Sequence, residues 1–304
     1  MSDSPSLRLE TLLDQIACLA GVPREVTELD GGLTNHNYRV RTADVDVVIR
    51  VSDPSTGLLA VDRDAEHENS IRAAAAGVGA PVVDYLPGRG VLVVGYLPSR
   101  TYADPDVAAN LPRVAAAVAA LHAAEPFVNR FDFFALQRRY LEIMRDNGLR
   151  MPEGYLDLLP TAARVEAAMA ARPEPLVSCH NDLLAANFLD TADGLRIIDY
   201  EYSGLNESSF ELGNLIQEAR LGRDALTELV TAYDGREDPR RVARADLWRI
   251  MSAYGWTLWG AIQSGASDLD FDFWEWAVSK YEVAREAFAS NGFEALLDSV
   301  GGRA

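Results

Sequence analysis

The chain changes character near residue 100, and that change limits the folds open to it. Up to residue 95 the apolar residues come in short valine-rich runs broken by glycine. The stretches 37–41 and 45–51 predict strands, with the Gly31–Gly32 pair marking a sharp turn ahead of them. "APVVDY" and "GVLVVGYLP" predict a further pair of strands joined at Pro87–Gly88. One alanine-rich helix, 64–76, interrupts this sheet, and an amphipathic helix over 7–20 precedes it, with Leu9, Leu12, Leu13 and Ile16 on one side. From about 104 the apolar spacing becomes helical, predicting helices over 106–124, 131–146, 154–171, 207–220, 223–234, 238–263 and 273–290. Only two short strands, 188–189 and 196–198, flanking the turn "DTADG", break that series. The expected architecture is therefore α+β in two lobes. Residues 1–96 form a small antiparallel-sheet lobe, residues 97–304 a larger helical lobe, and a hinge lies near 95–100. A cleft between lobes is a common ligand site.

The totals narrow the function. A net charge of −18 opposes binding to nucleic acid or anionic lipid, which needs a basic face. No apolar run reaches the ~18 residues that a membrane span needs. The N-terminus lacks a basic and apolar leader, and two cysteines cannot make a disulfide framework, so a cytoplasmic location is expected. Arginine has nearly replaced lysine: Lys280 is the chain's single lysine. A homodimer is neither required nor excluded.

The chemistry concentrates in "SCHNDLLAANFL" and "LRIIDYEYSG". Asp182 and Asn187 stand five residues apart, and Asp199 closes an apolar run, so it belongs at a strand end facing the cleft. A carboxylate to accept a hydroxyl proton, plus an amide oxygen and a second carboxylate to hold a hard cation, is what phosphoryl transfer requires. The Asp182–Asn187 spacing is that of a kinase catalytic loop. His180 is expected to brace the loop through its backbone or Asp199. Cys179, beside it, reads as a small buried residue.

This block, continued by "DYEYSGLNESSFELGNLIQE", resembles the choline/ethanolamine kinase family, within the aminoglycoside-phosphotransferase-like, protein-kinase-like fold. The resemblance runs over nearly the whole chain. It implies an ATP- and Mg2+-dependent phosphotransferase, with Asp182 as catalytic base and Asn187 and Asp199 as magnesium ligands. It also implies that "DGGLTNHNY" covers the ATP phosphates, through Gly32, Thr34 and Asn35, and that Gly95, Tyr96 and Leu97 form the adenine hinge. Arg50, ending the strand "DVVIR", takes the place usually held by a phosphate-binding lysine. Its expected partner is Glu68, with Glu66 the alternative.

Acceptor recognition falls to the C-terminal third, which contains all five tryptophans. Trp256, Trp259 and Gln263 share one helical face, and Trp276 comes from the next helix. Aromatic faces attract an ammonium by roughly 0.5–2 kcal/mol per favourable contact, and Glu218 would add a carboxylate. In the resembling family the positions of Trp256, Trp259, Trp276, Tyr202 and Glu218 line the choline pocket. Three departures stand out: Trp276 where tyrosine is common, Glu211 where an aspartate usually braces the loop, and Leu184 where some members carry glutamine. The expected acceptor is a small cationic amino alcohol, choline first. Ethanolamine and an aminoglycoside or other hydroxylated metabolite are the alternatives, and a non-catalytic binding protein of the same fold comes last.

Overall fold

The computed structural model describes residues 5–29, 35–52, 59, 61–267 and 269–302. The predicted phosphate-covering residues Gly32 and Thr34 lie outside them. The chain starts with α1 (Pro5–Leu13) and continues as β1 (Glu25–Leu29), β2 (Asn35–Arg41) and β3 (Asp46–Ser52). It then forms α2 (Arg63–Ala75), β4 (Val82–Leu86) and β5 (Val91–Gly95). The five strands make one antiparallel sheet in the order β1-β2-β3-β5-β4. Its inner face is apolar by alternation: Val40, Val47, Ile49, Val91 and Val93 are buried. Helix α1 stops at Leu13, earlier than its periodicity predicts. Tight turns then carry Ile16 and Leu19 into the same core, so the apolar spacing outlasts the helix.

Beyond the hinge come β6 (Ser99–Thr101), α3 (Asp104–Ala109) and α4 (Leu111–His122). The single helix expected over 106–124 is two. Pro112 lies in the first turn of α4, and Asn110 before it leaves helical geometry at φ −133°. Next follow α5 (Phe133–Asp146), α6 (Leu159–Ala171), β7 (Leu176–Cys179), β8 (Phe188–Thr191), β9 (Gly194–Ile197) and β10 (Gly204–Glu207). The chain closes with α7 (Ser208–Glu218), α8 (Arg223–Asp234), α9 (Pro239–Ala266), α10 (Phe273–Phe288) and α11 (Phe293–Gly301). Strands β6, β8 and β9 form a small sheet, and β7 pairs with β10. Of these, β6, β7, β10 and α11 were not anticipated: the three strands are too short to show a period, while α11 carries one in Phe293, Leu296, Leu297 and Val300 that the sequence reading left out.

Helix α9 is the axis of the large lobe. Nearly every position from Val242 to Gln263 is buried, packed by α5, α6, α7, α10 and α11. Two glycines set how closely its neighbours approach. A Cβ on Gly213 of α7 would stand 2.2 Å from the Ala245 carbonyl oxygen. One on Gly260 would stand 2.6 Å from the Trp276 ring. Close approach on both sides of α9 brings the end of α7 and the start of α10 to the same place.

Candidate active site

A cavity of about 620 Å³ runs between the lobes. One end is an apolar slot between the sheet and the small β8–β9 hairpin, with Val48, Ala80, Leu189 and Ile198 among its walls. Its middle is polar, lined by Arg50, Asp182, Asn187 and Asp199. The far end is aromatic, walled by Tyr202, Trp256, Trp259 and Trp276 with Glu218.

The polar middle is built on a loop whose own polar groups are buried and bonded. Asn181 sits at φ 69°, in the left-handed region that non-glycine residues seldom occupy. It is held there by many contacts. Its side-chain amide donates to the Tyr202 carbonyl (3.0 Å), while its oxygen accepts from Asn206 (2.9 Å). Its backbone N–H donates to Glu211 (3.0 Å), whose other oxygen accepts the His180 N–H (2.6 Å). The longer glutamate thus still braces the loop. His180 packs under it, one ring nitrogen against the Ile198 carbonyl (2.8 Å) and the other accepting from the Asp182 N–H (3.2 Å). His180 is buried and does not line the cavity; it bonds loop backbone. Asp199 is also left-handed, at φ 71°, directly after β9 and Ile198, which turns its carboxylate toward the cleft.

Asn187 donates its side-chain amide to the Asp182 carbonyl (2.9 Å), which fixes the amide plane. Asp182 is half-buried at the cavity wall. Its removal from water there, with the charges of Glu218, Glu201 and Asp199 near it, pushes its carboxyl well above the usual range.

Arg50 reaches from β3 to contact both Asp199 and Glu66 of α2. The helix partner is Glu66, not Glu68, which lies on the exposed outer face of α2 beside His67. Arg63 joins the network, bonding Glu66 (2.9 Å) and Glu201 (3.1 Å), and Glu201 accepts from Asn35 (3.1 Å). Asn35 is therefore buried against the strand end and is not part of the cavity wall. At the hinge, Gly95 and Tyr96 line the slot but donate their N–H groups to the carbonyls of Pro81 (2.8 Å) and Asp46 (3.0 Å). Leu97 is the next hinge residue lining it.

At the aromatic end, Trp259 donates its ring N–H to the Tyr202 hydroxyl (3.0 Å) and Trp256 to Asn214 (2.9 Å). Trp276 meets Trp259 edge-on, centroids 5.3 Å apart. Glu218 is bonded to Lys280. Gln263, one turn beyond Trp259, is buried but does not reach the cavity wall. Trp248 is core, and Trp274 lies under Arg150.

Sequence reasoning missed the Arg63–Glu201 tie and Lys280. The second had a signal, since Lys280 is four residues after Trp276 and so shares its helix face. His122, Cys179 and Glu211 also form a close buried group. It lies behind the loop, where the Glu211 oxygens already accept two backbone N–H groups and burial pushes the Cys179 thiol up.

The family model for choline/ethanolamine kinase matches residues 26–232. A choline/ethanolamine kinase family protein from Mesorhizobium loti superposes with a TM-score of 0.84 at 31% identity, covering 97% of this chain and 99% of that one. Choline kinase LicA from Streptococcus pneumoniae gives a TM-score of 0.80 at 21% identity, over 93% and 99%. Protein LicA of Haemophilus influenzae is 27% identical over 84% of this chain and 77% of its own length. The chain belongs to the choline/ethanolamine kinase family and has its two-lobed, protein-kinase-like fold.

Proposed function

We propose that the protein transfers the terminal phosphoryl group of ATP to the hydroxyl of choline. The observation that carries this reading is that one cavity joins an apolar slot, a polar middle with Arg50, Asp182, Asn187 and Asp199, and an aromatic end. The slot is the place for adenine. Arg50 neutralises phosphate charge, presenting a planar fork where a lysine would present a point charge. Asp182, between the polar middle and the aromatic end, orients the acceptor hydroxyl and takes its proton.

Magnesium fits the donor set. Asn187 and Asp199 offer hard oxygens, and the position beside Asp199 already attracts a cation, the Arg50 guanidinium. Magnesium bound there supplies charge neutralisation across the transferring phosphates. The division into lobes 1–96 and 97–304 belongs to the same reading: the nucleotide end draws on both, the acceptor end on the second alone.

For the acceptor, Trp256, Trp259 and Trp276 offer faces to a cation beside the catalytic carboxylate. Ethanolamine is the second reading, favoured by the Glu218 carboxylate at the same end. An aminoglycoside needs a wide acidic cleft, and this end is walled by indoles. ADP release is measured with ATP and magnesium on choline, ethanolamine and kanamycin. Choline is expected to give the highest kcat/KM, and turnover on kanamycin alone would remove the assignment.

A further inference from the structure

Lys280 is the chain's single lysine, and it stands behind the acceptor end of the cavity, against the wall residues Glu218 and Trp276. Its ammonium lies 2.6 Å from one oxygen of Glu218 and 2.8 Å from the other. It also sits 4.4 Å above the centre of the Trp276 ring. Both members of the pair are buried, with side chains 8% and 6% exposed. Glu218, the carboxylate that α7 places among the aromatic walls, is therefore bound on both oxygens, and its charge is balanced before any acceptor arrives.

The neighbouring polar atoms are committed too. The Tyr202 hydroxyl accepts from the Trp259 ring N–H and faces the Tyr140 hydroxyl at 3.5 Å. The Trp256 ring N–H is a donor and is spent on Asn214. What these walls present to a visiting cation is aromatic face. A primary ammonium brings three N–H groups that each need an acceptor, whereas a quaternary ammonium brings none. Methyl groups lie against indole faces without losing a hydrogen bond.

We propose that Lys280 is a specificity-determining residue: by neutralising Glu218 and taking a hydrogen-bonding site on each of its oxygens it weakens that carboxylate as a partner for a substrate's N–H groups, and the site selects amino alcohols by their degree of N-methylation. The inference rests on the choline reading above. It adds the residue responsible and the direction of a graded preference.

The test is kcat/KM for ethanolamine, its N-methyl and N,N-dimethyl derivatives, and choline, on the wild type and on Lys280→Gln and Lys280→Arg. In the wild type kcat/KM should climb with each methyl. In K280Q, with Glu218 released, the choline-to-ethanolamine ratio should fall by about tenfold or more. K280R, which still carries donors for both carboxylate oxygens, should keep the wild-type ratio, an outcome that a merely structural lysine does not require. A ratio unchanged in a K280Q that melts like the wild type overturns the inference. Should K280Q fail to fold, Lys280→Met, which removes the donors and keeps the apolar stem, takes its place, and an unchanged ratio in it, or a flat or falling wild-type series across the methyls, overturns the inference. In either failure, sustained turnover of choline leaves the kinase reading standing. Absence of turnover on all four compounds removes both.

Discussion

The two ends of the cavity hold charge in opposite ways. At the nucleotide end the protein contributes cations, Arg50 and Arg63, which share Glu66 on α2 and reach across to Asp199 and Glu201 respectively. Those ties cross from the sheet lobe to the strand end after β9, so this end is assembled from both lobes. At the acceptor end the protein contributes aromatic faces and one neutralised carboxylate, all from the large lobe. Its members come from α7, α9 and α10, packed around Gly213 and Gly260, and, for Tyr202, from the segment ahead of β10. The difference teaches where each end is vulnerable. The first depends on how the lobes meet. The second depends mainly on helix packing within the large lobe, with Leu59 of the other lobe seated against the same core.

The largest test of the nucleotide end is removal of divalent ions. Turnover should vanish on thorough chelation and return with magnesium, and ADP release that survives chelation removes Asn187 and Asp199 as metal ligands. Next comes Asp182→Ala, expected to lower kcat by roughly 100-fold or more while nucleotide binding persists. Wild-type turnover by this variant removes the base. Glu66→Ala should raise the KM for ATP and lower the melting temperature, since opening a buried ion pair costs about 3–5 kcal/mol. An equal loss for acceptor and nucleotide would show that the two ends are not independent. Trp259→Ala should do the reverse, raising the KM for choline about 2- to 30-fold with little change for ATP. Equal effects on both would make the tryptophan a packing residue. Glu68→Ala is the control on the same helix, with stability expected within about 0.5 kcal/mol of wild type.

The catalytic block was legible because its members are close in sequence. Asp182 and Asn187 flank one loop, and Asp199 ends the next apolar run, so local spacing alone groups them. The choice between Glu66 and Glu68 was not legible from hydrophobicity. The buried face of α2 carries Glu66, Asn69 and Ser70, so polar residues point inward and an apolar one, Ile71, faces out. An amphipathic reading assumes the opposite. The positions 66, 69, 70 and 73 do share a helical spacing, and that spacing was the only available clue. Gln263 was misplaced for a related reason. It follows Trp259 by one turn, but the aromatic end of the cavity stops short of that turn.

Sequence alone determined the two-lobed α+β plan, the grouping of Asp182, Asn187 and Asp199 and the tryptophan face of α9, because each is carried by residues within a few turns or one loop of each other. Tertiary structure decided who partners Arg50, where Lys280 places its charge, and which hinge groups are already bonded. Those outcomes depend on groups meeting between separate elements: Arg50 with Glu66 and Asp199, Lys280 with Glu218, and the Gly95 and Tyr96 N–H groups with the carbonyls of Pro81 and Asp46. No local period encodes such meetings; they follow from how α2, α7, α9 and α10 pack.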